Sequence, residues 1–168
     1  WAPTVQKVDT NKVTDPYSVA LTTDSTHSVV ADLRDRSLAP KGWSTLKKPA
    51  AVPLKDAQIQ ELHIRDFSIA DATAENKGTY LAFTDKDSKG SQHLRELAGA
   101  GTSYVHLLPA FDIGTIPEKK SDQQQPECEL KVYAPDSEEQ QACVAAAAAK
   151  DAFNWGYDPL HYTVPEGS

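Results

Sequence analysis

The sequence predicts an α/β chain built on a parallel sheet, with a short β segment ahead of it. Two short apolar runs, Ile59-Gln-Glu-Leu-His-Ile64 and Tyr104-Val-His-Leu-Leu108, carry apolar side chains on both faces, the pattern of buried parallel strands. Between them, Ser91 to Ala100 reads as an amphipathic helix. It sets Leu94 and Leu97 on one face and Arg95 and Glu96 on the other, with Gly99 and Gly101 placed to end it. Strand, helix, strand is a βαβ unit, and such units form parallel sheets.

Upstream, Trp1-Ala-Pro-Thr-Val-Gln-Lys-Val8 alternates apolar and polar residues, and Ser28-Val-Val-Ala-Asp-Leu33 is a β-branched run. Asp15-Pro16 and Thr22 to Thr26 supply turn chemistry between the two. Two or three such strands do not make a stable sandwich alone. The rest of that β domain is expected before Trp1. Residues 39–56 read as a linker punctuated by Pro40, Gly42, Pro49 and Pro53, with Trp43 as an anchor on a neighbouring surface. The stretch from Asp71 to Ser91 is polar, and Pro109 stops the second strand. A second helix is predicted from Ser137 to about Lys150, where Ser137 and Gln140 have capping-box spacing and the alanines have the best helix propensity. No internal repeat is visible.

The composition is that of a globular protein: 168 residues, 39% hydrophobic, 24% charged, net charge −7. That much negative charge repels phosphate backbones and argues against nucleic acid as a partner. No stretch approaches the ~20 apolar residues of a membrane helix, and Ala142 to Ala149 is too short and too weakly apolar. No signal peptide is visible, and both ends read as cuts in a longer polypeptide. The two cysteines, Cys128 and Cys143, fit either one disulfide or two free thiols. Neither their number nor their neighbours suit zinc.

Phe153-Asn-Trp-Gly-Tyr-Asp-Pro159 is the most informative run. Three aromatic rings, a glycine, a carboxylate and a stiffening proline suit a surface that offers a sugar a flat apolar face and a hydrogen-bonding group. The same rings also suit a core or an interface holding a long loop. Together with Glu61-Leu-His-Ile-Arg-Asp-Phe-Ser68 and Tyr104-Val-His-Leu-Leu-Pro-Ala-Phe111, in this order and at these separations, the run resembles the starch-debranching branch of the α-amylase family, the type I pullulanases and limit dextrinases.

The resemblance implies an incomplete (β/α)8 TIM barrel preceded by the last strands of a β-sandwich domain. Residues 1–38 would end a carbohydrate-binding-type domain, 39–56 would be the linker, and 57–168 the first part of the barrel. It implies a retaining glycoside hydrolase that cuts α-1,6 branch linkages in pullulan and limit dextrins. Its two catalytic carboxylates, about 5–5.5 Å apart in such enzymes, would lie beyond this segment. Tyr157 would stack on the sugar, Asp158 would hydrogen-bond its hydroxyls, and Trp155 would line the groove or pack beneath it. A secreted or cell-surface enzyme would favour the disulfide Cys128–Cys143. The expected partners are α-glucans and the remainder of the same enzyme. No cofactor is required, and structural calcium is possible in the intact enzyme. The pairs Asp85/Asp87 and Glu127/Glu129 lack the spacing of a calcium loop and read as solvated faces. His63, His106, His161 and Tyr162 read as structural residues, and Arg65 and Asp66 as scaffold. The rivals are an isoamylase or branching enzyme, a non-catalytic amylase-like scaffold and a free-standing carbohydrate-binding module.

Overall fold

The computed structural model describes residue 10 and residues 12–168. The strand expected at Trp1–Val8 lies outside the described residues. The chain divides into two compact units, one running through Asp32–Ala110 with Asn154–Tyr157, the other joining the residues up to Ala31 with Phe111–Phe153 and Asp158–Ser168.

The first unit holds the βαβ pattern. Strands β1 (Ile59–Leu62) and β2 (Tyr104–Leu107) pair in parallel, with Ile59 opposite Tyr104 and Leu62 opposite Leu107. Helix α1 (Lys89–Gly99) connects them. It starts two residues earlier than expected because Ser88 is its cap: the Ser88 hydroxyl accepts from the Ser91 amide at 3.1 Å. Leu94 and Leu97 are half-buried and Arg95 and Glu96 exposed, as the pattern requires. The strands, in contrast, are not buried within this chain. Ile59, Val105 and Leu107 are all exposed, because only two strands are present and one helix cannot cover both faces. Ala74, Ala82, Ser68, Ser88 and Ser91 make up the small buried centre. Residues 32–51 run along the surface through three-residue helical turns at Arg36–Leu38 and Trp43–Thr45, and Trp43 is 65% exposed.

The second unit contains a sheet that the sequence did not announce. Strand β3 (Phe111–Ile113) pairs antiparallel with β4 (Pro159–Pro165) through an irregular register that moves from Pro165 to His161 in one step of β3. The expected strand at Ser28–Leu33 is absent; one bridge, Leu21 to Ser28, is all that pairs there, and Val30 is fully exposed. Beyond that bridge, the Val29 amide donates to the Ala20 carbonyl at 2.9 Å.

Helix α2 spans Glu138–Ala147, shorter than expected. Its capping box does not form. The Ser137 hydroxyl is buried without a partner, while Gln140 donates to the carbonyls of Tyr133 and Ala134, each at 3.1 Å. Cys128 and Cys143 form a disulfide with Cα atoms 6.5 Å apart, which ties α2 to the preceding loop. Among the described residues, Ile113, Ile116, Ala147 and Val164 are the buried apolar residues of this unit. No helix among the described residues is long and apolar enough to cross a membrane.

Candidate functional site

In the first unit the aromatic turn is placed by strand ends. Gly156 adopts φ +77°, a left-handed conformation that glycine takes without strain. It is buried against Pro109: a Cβ at this position would collide with the Pro109 carbonyl oxygen and stand 3.1 Å from the Pro109 side chain. Pro109 lies two residues past the end of β2. Trp155, on one side of Gly156, meets the ring of His63 edge-on at 6.4 Å, and His63 directly follows β1. The turn 154–157 therefore lies across the carboxyl ends of two parallel strands, where ligand sites of α/β sheets form. Tyr157 is 71% exposed and Trp155 57% exposed.

Supporting this edge, Arg65 pairs with Asp66 at 2.8 Å, and the Tyr80 hydroxyl donates to the Ala110 carbonyl at 3.2 Å. Phe67 and Phe83 stack at 4.4 Å with their planes 3° apart. His63 is nearly enclosed, as expected of a structural histidine. His106 is not: it points to solvent within β2, its Nδ1 3.6 Å from Glu61 across the register.

Beside this edge the loop 71–90 is held by two carboxylates. Asp71 accepts from the Thr73 hydroxyl and amide and from the Gly90 amide, and these bonds pull its carboxyl down to about 2. Asp85 accepts from the Glu75 and Asn76 amides and the Asn76 side chain; the bonds from Asn76 lower its pKa too. Residues 73–76 and 84–88 line a shallow concavity of about 590 Å³. Of its lining carboxylates, Asp85 is engaged by the loop's own backbone, and no group of three or more metal-ligating side chains occurs among the described residues.

In the second unit Asp158 is exposed, and its carbonyl accepts from the Gly114 amide at 3.1 Å. Three residues further on lies a buried polar relay. Asp112, on β3, faces His161, on β4, with Oδ2 2.7 Å from Nδ1. The carboxylate only accepts, so Nδ1 is the donor. The other ring nitrogen faces the Thr14 hydroxyl at 2.7 Å, and Ser25 donates to the second oxygen of Asp112 at 2.7 Å. Asp24 and Glu118 exchange bonds, each accepting from the other's amide. Glu118 has its pKa raised, first by burial and then by Glu166, Asp112 and Asp24 nearby. Asp112 was not singled out from the sequence; a lone Asp after Phe111 reads as a surface residue, and only its pairing with His161 marks it.

No family model matches the chain. Its relatives are nonetheless consistent. It is 40% identical to pullulanase 1, chloroplastic, of Arabidopsis thaliana, over all of this chain and 18% of that protein. It is 39% identical to the pullulanase of Klebsiella aerogenes, over all of this chain and 19% of that one. Among solved structures, ligand-free pullulanase from Klebsiella pneumoniae superposes with a TM-score of 0.84 at 37% identity. The same enzyme complexed with maltotriose gives the same values, covering 99% of this chain and 20% of its own.

The chain is homologous over its whole length to pullulanases and spans about a fifth of the length of the relatives it matches.

Proposed function

We propose that this chain is a segment of a pullulanase-type hydrolase that cuts α-1,6-glucosidic branch linkages in pullulan and limit dextrins. The observation that carries the proposal is the aromatic turn 154–157 lying across the carboxyl ends of β1 and β2 through Gly156–Pro109 and Trp155–His63. Its support comes from 40% identity to a pullulanase along the whole chain and from a neighbouring structure that holds maltotriose.

In this reading β1, α1 and β2 open a (β/α)8 barrel, whose active site forms at the carboxyl ends of its strands. Tyr157 presents its ring to the apolar C–H face of a glucose unit, which a flat ring covers without costing the sugar's hydroxyls their hydrogen bonds. Asp158 accepts from hydroxyls of that sugar, and Trp155 lines the groove. Other polypeptide supplies the nucleophilic carboxylate and the acid/base carboxylate of a double displacement. It also covers the exposed faces of β1 and β2. Residues 1–38 close a β-sandwich domain of carbohydrate-binding type, 39–56 link it to the barrel, and 57–168 begin the barrel. The intact enzyme acts outside the cell or on its surface, needs no organic cofactor, and has room for structural calcium elsewhere in its length.

The test is the intact protein on pullulan. Release of maltotriose units with retained anomeric configuration supports the proposal. A protein that binds pullulan without cutting it is a scaffold instead.

A further inference from the structure

We propose that residues 32–51 are a docking arm for another domain of the same polypeptide, one that offers Trp43 an apolar slot ringed by acidic groups. This rests on reading the chain as part of a longer enzyme.

All twenty residues from Asp32 to Ala51 are exposed, yet they hold a defined shape. The Asp35 carboxylate accepts from the Ser37 amide at 2.8 Å, the Trp43 amide donates to Pro40, and the Thr45 amide and hydroxyl both donate to Gly42 at 3.0 Å. Gly42 takes φ +85° with nothing within 4 Å of where a Cβ would stand, so conformation rather than space selects glycine there. At its far end the arm is rooted beside β2, where the Tyr104 hydroxyl contacts both the amide and the carbonyl of Val52 at 3.3 Å. Ordering a chain costs conformational entropy. Among the described residues, none of the arm's own is buried to offset that cost.

What the arm displays points to the occupant. Leu38, Trp43 and Leu46 are each 60–66% exposed. Residues 32–51 carry Arg34, Arg36, Lys41, Lys47 and Lys48 against Asp32 and Asp35, and no carboxylate falls between Arg36 and Ala51, in a chain of net charge −7. Among the described residues no ion pair joins Arg36, Lys41, Lys47 or Lys48 to an acid. A neutral glucan has no use for such a row of cations. An acidic protein surface with an apolar slot matches both features, and large rings and arginine are the residue types that anchor interfaces. The relatives are about five times longer than this chain, so polypeptide of the same enzyme is available to provide that surface.

Limited trypsin digestion of the intact protein reads the docking directly. The arm offers cuts after Arg34, Arg36, Lys41 and Lys47, whereas Pro49 protects the bond after Lys48. Wild-type protein should resist all four. Trp43→Ala, and separately Lys41→Glu with Lys47→Glu, should speed cleavage after Arg36 about tenfold or more, since proteolysis follows the population of the open form. Molar salt should speed it in wild type as well. Wild-type cleavage as fast as in a urea-unfolded control, or variants cut no faster than wild type, overturns the proposal. So does protection that disappears on dilution, which identifies a second copy as the occupant. Pullulan hydrolysis is assayed separately: a protected arm on an inactive protein removes the proposed activity and leaves the docking, and a cleaved arm on an active protein does the reverse.

Discussion

His161 Nδ1 lies 2.7 Å from the carboxylate of Asp112, and each side chain is only 2% exposed. This pair is the buried joint of the β3–β4 sheet. Removing one partner strands the other in a medium that cannot solvate it, and such losses amount to about 3–5 kcal/mol. His161→Ala should lower the urea-unfolding free energy of the protein by that order. Tyr162→Ala, one residue along and exposed, should cost about 1 kcal/mol or less. Equal losses would mean that the pair does not hold the sheet.

Gly156 sets the position of Trp155 and Tyr157 by backing onto Pro109. Gly156→Ala adds left-handed strain of about 1–2 kcal/mol and a collision with the Pro109 carbonyl. The turn should move off the strand ends, and calorimetry should show weaker maltotriose binding by the intact protein. Wild-type affinity in the alanine variant would detach the turn from the sugar.

The Cys128–Cys143 bridge closes a loop of sequence separation 15, worth about 3 kcal/mol in the chain-entropy account. Cys128→Ser, or reduction with dithiothreitol, should lower the unfolding midpoint by the same amount, and the two treatments together should add nothing further. An unchanged midpoint would show that the bridge constrains nothing.

Asp71 ionises at about 2 in the folded protein against an ordinary 3.8. Its folded value is the lower one, so the stability it contributes is present above about pH 4 and is lost as pH falls through 2. Asp71→Asn should flatten the pH dependence of stability between pH 4 and 2, measured by denaturation at each pH. A slope identical to wild type would contradict the assignment.

The βαβ pattern was legible because its signals are local: two apolar runs, one helical stripe and a glycine stop, all within 59–108. The β3–β4 sheet was not. Its three-residue strand follows Pro109 closely, its partner lies almost fifty residues away, and the broken register hides the alternation that marks a strand. The same distance concealed Asp112, since a polar residue reads as surface until a partner is seen, although His161 was read as structural. Ser28–Leu33 failed in the other direction: β-branched residues suit a strand only where another strand adjoins them. The capping box failed because Gln140 found nearer carbonyls. Of the site, the sequence named Trp155 and Tyr157, but the contacts that place them, Pro109 and His63, are tertiary.

The central claim is that Tyr157 carries a glucose unit. The direct test is kcat/KM on pullulan for Tyr157→Ala in the intact protein, with thermal unfolding as the control. The account predicts a fall of about a hundredfold or more, the scale of losing a substrate-positioning contact, with unfolding almost unchanged because the ring is 71% exposed. A wild-type kcat/KM would contradict it.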